Sequence, residues 1–140
     1  MALKDKVWII ALVSAILGLV GWATPYTWTW VGTIHSMIWS WGLIVVTDSG
    51  IWFIMQIMVA GIFIIISAIL ILVTGILSKK RENLKKMGLI WLVAGILSLL
   101  GVFTPLLMRM PAFGLSIGFY LPLFGGIIAI IAGIIALYVS

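Results

Sequence analysis

The chain has 140 residues, of which 65% are hydrophobic and only 8% are charged, and its mean hydropathy is +1.40. A water-soluble domain of this size cannot hide so much apolar surface, so the composition excludes one and indicates an integral membrane protein. The chain contains no cysteine. Disulfides, thiolate metal sites and cysteine nucleophiles are therefore excluded as well.

Four apolar stretches are long enough to cross a membrane. A bilayer core about 30 Å thick requires roughly 20 apolar residues per helical span. Continuous apolar runs lack the alternation of a transmembrane barrel, so we predict helices. The spans are expected at residues 7–23, 51–77, 87–108 and 113–138, with an outer loop at 24–50 and a cytoplasmic loop at 78–86. The predicted fold is an all-α four-helix membrane bundle that forms a single domain.

The charges predict the orientation of these spans. Most basic residues lie before the first span or between the second and third: Lys4, Lys6, Lys79, Lys80, Arg81, Lys85 and Lys86. Short loops rich in lysine and arginine stay in the cytoplasm. We therefore expect a multi-pass cell-membrane protein with both termini in the cytoplasm. The same charges favour contact with the lipid bilayer, including anionic headgroups, over nucleic acid as a partner.

The first and third spans resemble each other. A shift of 80 positions lays Trp8–Pro25 on Gly88–Pro105, and both segments end in Gly-x-x-Thr-Pro. A weaker match at a shift of 65 pairs Gly61 with Gly126. We interpret the pattern as two tandem helical hairpins that both enter from the cytoplasm. Because proline cannot donate an amide hydrogen and restricts the preceding residue, the first and third spans are expected to end at their Thr-Pro pairs.

The first outer loop is too apolar for an ordinary solvated loop. Alternating tryptophans and a β-branched run predict short strands and hence a small extracellular β-sheet. An interfacial helix over residues 34–46 is the alternative. Tryptophan favours the headgroup level, so the residues concerned form either an aromatic belt or a dedicated contact surface. They are Trp28, Trp30, Trp39, Trp41, Gly42 and Leu43.

Four spans, a longer first outer loop, and Trp28 or Trp30 followed by Gly42-Leu43 resemble the claudin and peripheral myelin protein tetraspan superfamily. In that family a tryptophan precedes Gly-Leu-Trp and two cysteines, whereas Ile44 replaces the next tryptophan here and both cysteines are missing. The resemblance implies an outer β-sheet resting on a left-handed four-helix bundle. It also implies lateral or adhesive self-association.

The spans offer little material for chemistry. They contain no Asp, Glu, Lys, Arg or His at membrane depth, which argues against a proton relay or an ion-coupled transporter. His35 and Asp48 alone make neither a metal shell nor a catalytic triad. We therefore predict a protein that is not an enzyme and that has no cofactor and no metal site.

Small residues recur at four-residue spacing and are expected to let helix backbones approach closely. These helix-packing candidates are Ser14, Gly18, Gly125, Ala129 and Gly133. The amide of Gln56, near the outer end of the second span, is expected to form a hydrogen bond across helices.

Together these features predict a structural, claudin-like protein that self-associates or adheres through its aromatic outer face. An accessory subunit of a larger membrane complex is the closest alternative. A small channel or transporter and a membrane coat protein are further ones. A channel would need a polar path, which this sequence does not visibly line.

Asp48 and Arg109, the only acid and the only base expected on the outer side, are predicted to form an ion pair between the two outer loops. Replacing Asp48→Arg should lower the melting temperature in detergent, because it places two like charges together. Adding Arg109→Asp should restore the melting temperature. Independent solvated charges are the alternative, and a double variant as unstable as the single one would support it.

Overall fold

The structure is a computed structural model that describes residues 6–31, 34–46, 50–53, 55–78, 84–107 and 117–139. These residues form four helices: α1 (Val7–Ala23), α2 (Met55–Ser78), α3 (Leu84–Leu107) and α4 (Ile117–Val139). Between α1 and α2 lie four strands: β1 (Pro25–Val31), β2 (Ile34–Trp39), β3 (Leu43–Val46) and β4 (Gly50–Phe53). The predicted four helices and small outer-loop sheet are confirmed. The alternative of an interfacial helix over residues 34–46 is wrong.

Three of the described helices, α2, α3 and α4, are long and apolar enough to cross a membrane, and α1 is a shorter apolar helix of 17 residues. The bounds of α1 coincide with the predicted first span. The predicted second span began too early, because residues 50–53 form β4 and pair with β3. A strand of Ile, Trp and Phe is as apolar as a helical turn, so hydropathy alone cannot separate the two.

The two Thr-Pro pairs behave differently. Thr24 leaves α1 with an extended backbone (φ −101°, ψ 155°), and Pro25 opens β1, as expected. In contrast, α3 continues for two residues beyond Pro105, so the predicted end at this pair is wrong. Proline so close to a helix end removes a single intrahelical hydrogen bond. The hydroxyl of Thr104 also donates to the carbonyl oxygen of Leu100 (2.5 Å).

Each helix packs against its neighbours in the chain, and α4 packs against α1, so the four helices close into a ring. Buried positions follow a seven-residue repeat, which is typical of left-handed helix packing at crossing angles near 20°. In α4 the repeat runs through Gly118, Pro122, Gly125, Ala129, Ala132 and Ala136.

The distribution of side-chain size across these helices is the opposite of that in a water-soluble bundle. Every exposed residue described between positions 9 and 20, 59 and 77, 89 and 100, and 124 and 134 is Val, Ile, Leu or Phe. Buried positions are mostly Gly, Ala and Ser, including Ser14, Ser67 and Ser98. Close packing through small residues is what helices use where no hydrophobic force joins them.

Two clusters of buried side chains join all four helices. At the end of the bundle that carries the sheet, here called the sheet end, the cluster contains Tyr26, Ile64, Val102 and Phe119. The opposite end is here called the basic end, because Lys6, Lys85 and Lys86 lie there. Its cluster is centred on Trp91, which is fully buried. Alanines from α1, α3 and α4 surround this ring, and its indole nitrogen donates to the hydroxyl of Thr74 (2.9 Å).

Helix contacts follow the stronger of the two sequence matches but not the weaker one. Gly75 of α2 packs against Leu12, and Gly133 of α4 packs against Leu92. A shift of 80 positions relates the two leucines, as in the sequence match, but a shift of 58 relates the two glycines. The contacts therefore do not follow the weaker match at 65, which differs by about two helical turns.

Replacing Gly133→Val should destabilise the bundle by about 1–3 kcal/mol or more, because overpacking forces backbones apart. A Cβ at Gly133 would lie 2.6 Å from the carbonyl oxygen of Gly88 and 2.8 Å from the amide nitrogen of Leu92. The neighbouring Ile134→Val is the matched control, since Ile134 is 55% exposed. Melting temperatures in detergent measure both changes, and equal values would contradict this packing.

Candidate interaction surface at the sheet end

The four strands form one antiparallel sheet in the order β1-β2-β3-β4. One row of paired positions crosses all four strands and contains Trp28, Met37, Val45 and Ile51. The adjacent row contains Thr27, Ile38, Ile44 and Trp52. Successive residues of a strand face opposite sides of a sheet, so these two rows belong to opposite faces. Both faces therefore carry apolar positions.

The turn between β2 and β3 packs against α2. The amide of Gly42 donates to the carbonyl oxygen of Trp39 (3.1 Å), and Gly42 has φ 99°, a conformation that favours glycine. Opposite the turn lies Gly61 of α2, where a Cβ would be 2.5 Å from the Cα of Trp41 and 2.9 Å from the carbonyl oxygen of Ser40. The turn can approach α2 this closely only because residue 61 lacks a side chain.

Three tryptophans, here called the tryptophan cluster, join this turn to α1. The ring of Trp41 lies between those of Trp22 and Trp39, with centroid separations of 5.8 Å and 6.2 Å. The indole nitrogen of Trp39 donates to the carbonyl oxygen of Ala23 (3.1 Å). Carbonyls in the last turn of a helix have no intrahelical donor, so Trp39 caps the C-terminus of α1.

Tyr26, at the start of β1, anchors the sheet to α3 and α4. Its side chain is fully buried, and its hydroxyl donates to the carbonyl oxygen of Val102 in α3 (2.5 Å). Its ring meets Phe119 of α4 edge to face, with centroids 5.4 Å apart. Burial raises the pKa of the Tyr26 hydroxyl well above its ordinary value of 10.0, because a phenolate would lose its hydration. The hydroxyl therefore remains a donor.

The N-terminal end of α4 closes against the junction between α1 and β1. Gly118 lies against the carbonyl oxygens of Thr24 and Pro25, so close that no Cβ would fit. The ring of Pro122 packs in the same way onto Gly21 of α1. These contacts place the first strand directly on the bundle and fix where the sheet begins.

The predicted outer contact residues divide into three groups. Trp39, Trp41 and Gly42 hold the sheet on the bundle, a role that neither an aromatic belt nor a contact surface had anticipated. Leu43 opens β3 and is half-buried. Trp28 and Trp30 lie on β1, and their side chains fall outside the part of the chain that the structure describes.

Two predicted packing residues of α1 meet different helices. The hydroxyl of Ser14 donates to the carbonyl oxygen of Gly125 in α4 (2.6 Å). Gly18, one turn later, lies against Ala68 of α2, where a Cβ would be 3.0 Å from the Cβ of Ala68. The small residues of α1 thus allow close approach on two sides.

The other predicted residues are placed as follows. Ala129 is fully buried in the cluster at the basic end, and Gly133 packs against α3. Gln56 lies in the first turn of α2, but its side chain is outside the described residues. Asp48 and Arg109 are also outside them, so the ion pair stays a prediction.

Sequence reasoning missed several residues that build the sheet end, chiefly Tyr26, Trp22 and Gly61. A signal existed for Tyr26, because it directly follows the Thr-Pro pair that ends α1. Glycine within the outer part of an apolar span was a second signal, since it marks a close backbone approach. Neither pattern indicates which element makes that approach.

The sheet end has the chemistry of an apolar surface. No group of three His, Cys, Asp or Glu side chains comes together among the described residues. The described strands carry no charged residue, and Ile51 on β4 is 66% exposed. What this geometry supplies is a sheet held in a fixed position, with apolar side chains available for contact.

No protein-family model matches the chain, and no curated protein matches it. The contacts of the sheet end and the faces of the helices are therefore the basis for a function.

Replacing Tyr26→Phe should lower the free energy of unfolding by about 0.5–1.5 kcal/mol, because it removes the hydrogen bond to Val102 and leaves the ring in place. Tyr138→Phe is the matched control, since Tyr138 is 89% exposed. Thermal unfolding in detergent, below pH 10, would compare the two variants. An equal effect of both changes would show that the Tyr26 hydroxyl contributes nothing.

Proposed function

We propose that this chain is an integral membrane protein with four spans, both termini in the cytoplasm, and a structural rather than enzymatic role. Large apolar side chains on every described outward-facing row of the helices support this placement, because lipid solvates such a surface and water does not. The accumulation of basic residues at the basic end supports the orientation.

The short first helix is compatible with a span. Seventeen residues at 1.5 Å rise extend about 26 Å, slightly less than a hydrocarbon core of about 30 Å. A bilayer accommodates a mismatch of this size by local thinning, at a small fraction of a kcal/mol per Å. β1 and the tryptophan cluster follow at once, so the outer end of α1 meets protein as well as lipid.

We assign the structural role to self-association through the sheet. Transmembrane helices associate most readily through exposed small residues. Here the small residues of the described spans face the bundle interior, as Gly125 and Gly133 do. The spans therefore lack a surface suited to a second copy, which leaves the sheet as the favoured contact.

One edge of the sheet is better suited to this contact than the other. The β1 edge opens with Pro25, has an irregular register between Pro25 and Thr27, and is partly covered by α4. Such features protect an edge strand from pairing. The β4 edge, Gly50–Phe53, has no proline, no charge and no register shift, and it exposes Ile51. This apolar edge, whose described residues carry neither the proline nor the register shift of the β1 edge, is the observation that carries the proposal.

A four-stranded sheet held on four helices also supports a claudin-like role, because the resemblance implies a helical bundle with a sheet on its outer side. A disulfide is impossible here, since the chain has no cysteine. Tyr26 and Trp39, which bind α3 and the end of α1, supply the anchorage of the sheet instead.

The test is the mass of the purified chain in mild detergent, compared between the wild type, Ile51→Lys and Ile51→Val. We expect a homogeneous homo-oligomer that Ile51→Lys dissociates, because the change buries two like charges in a symmetric contact. Ile51→Val should remain associated.

A monomeric wild type, or equal masses for all three proteins, would contradict self-association through β4. Recovery of the wild type with stoichiometric foreign subunits would instead favour the role of an accessory subunit. Unfolding curves provide the control for folding, and Ile51→Lys should leave them nearly unchanged because the side chain is exposed.

A further inference from the structure

The entire net charge of the chain lies in two segments of its sequence, one before α1 and one between α2 and α3. Seven basic residues and the acids Asp5 and Glu82 lie in residues 1–6 and 79–86, which leaves five positive charges, equal to the formal charge of the whole protein. Elsewhere Arg109 and Asp48 cancel. The three described lysines of these segments, Lys6, Lys85 and Lys86, lie on the surface of the basic end, where α1 and α3 begin.

The described part of this surface is exposed and has no acidic counterpart. Lys6 precedes α1, and Lys85 and Lys86 lie in the first turn of α3, all with exposed side chains. Neither helix has an acidic residue in its first turn. A helix N-terminus already carries a partial positive charge, so lysines there raise the local potential further. An anionic partner would neutralise that potential.

Apolar side chains lie directly beside these lysines. Ile9 is 45% exposed within one turn of Lys6, and Leu89 is 48% exposed one turn after Lys85. Cationic groups next to an apolar face match the boundary between headgroups and acyl chains in a bilayer. A surface for nucleic acid would not need the apolar side chains.

We infer that the basic end binds the phosphate groups of anionic phospholipids and retains such lipids around the bundle. The inference rests on the membrane placement proposed above, but not on self-association. It also goes beyond orientation, because orientation is decided at insertion, whereas lipid retention persists in the purified protein.

The experiment measures lipid bound to the full chain in detergent, with equal amounts of phosphatidylglycerol and phosphatidylcholine added, by native mass spectrometry. We expect the wild type to prefer phosphatidylglycerol, and the preference to fall as salt is raised. Lys85→Gln/Lys86→Gln should weaken it roughly 25-fold, since each lysine near an anionic surface contributes about fivefold.

Arg109→Gln is the control, because it removes one basic residue that follows α3 in the sequence, whereas Lys85 and Lys86 lie at the start of α3. It should leave the preference unchanged. Equal binding of both lipids by the wild type would overturn the inference, as would a double lysine variant that keeps the preference. Salt-dependent binding of DNA without a preference between the lipids would assign the surface to nucleic acid instead.

Masses measured in the same spectra separate this result from the proposed function. An associated protein without lipid preference would overturn only the inference made here. A monomer that retains phosphatidylglycerol would contradict self-association alone. Melting temperatures check that Lys85→Gln/Lys86→Gln folds, which the exposure of both side chains favours.

Discussion

The rest of the structure depends on the close approach of α1 and α4, in which Gly125 lies against the backbone of Ser14 and Gly18. These are the only sequence-distant neighbours in the ring of helices, and the hydrogen bond between Ser14 and Gly125 joins positions 111 residues apart. Closing the ring brings Phe119 beneath Tyr26 and encloses Trp91 among alanines. Both buried clusters contain residues of α4, so neither is complete while α4 is displaced. A side chain at residue 125 would separate the backbones and open both ends together.

The helices could be predicted from the sequence because the length of each apolar run indicates the length of the helix. The first span agreed with α1 in both bounds, whereas the second began within β4 and ended one residue before the end of α2. The sheet could be inferred from tryptophan alternation and β-branched residues. The sequence did not indicate that Trp39 and Trp41 hold the sheet on the bundle. Hydropathy describes a single side chain and does not show which residues lie next to it in the folded protein. The contact between Tyr26 and Val102 spans 76 positions, and no local pattern carries such information.

The sheet shows how a small group of strands can be fixed on a helical bundle without covalent cross-links. Tyr26 reaches α3, the turn at Trp41 presses on α2, and Trp39 binds the end of α1. Buried tyrosine and tryptophan rings each contribute a large apolar area and one hydrogen-bond donor. The area stabilises the contact, and the hydrogen bond fixes its orientation. Three anchors on three helices oppose rotation of the sheet, which a single disulfide within the sheet would not do. The absence of cysteine is thus matched by contacts between the sheet and the bundle.

The sheet lies between α1 and α2 in the chain, yet Tyr26 binds a carbonyl of α3 and a ring of α4. During synthesis β1 emerges before α3 and α4, so all four strands are synthesised before the helices that bind Tyr26. Docking must wait until α3 and α4 have been synthesised. The apolar strands therefore pass through a period without their bundle contacts. Placement of the sheet on the bundle is thus a late step of folding.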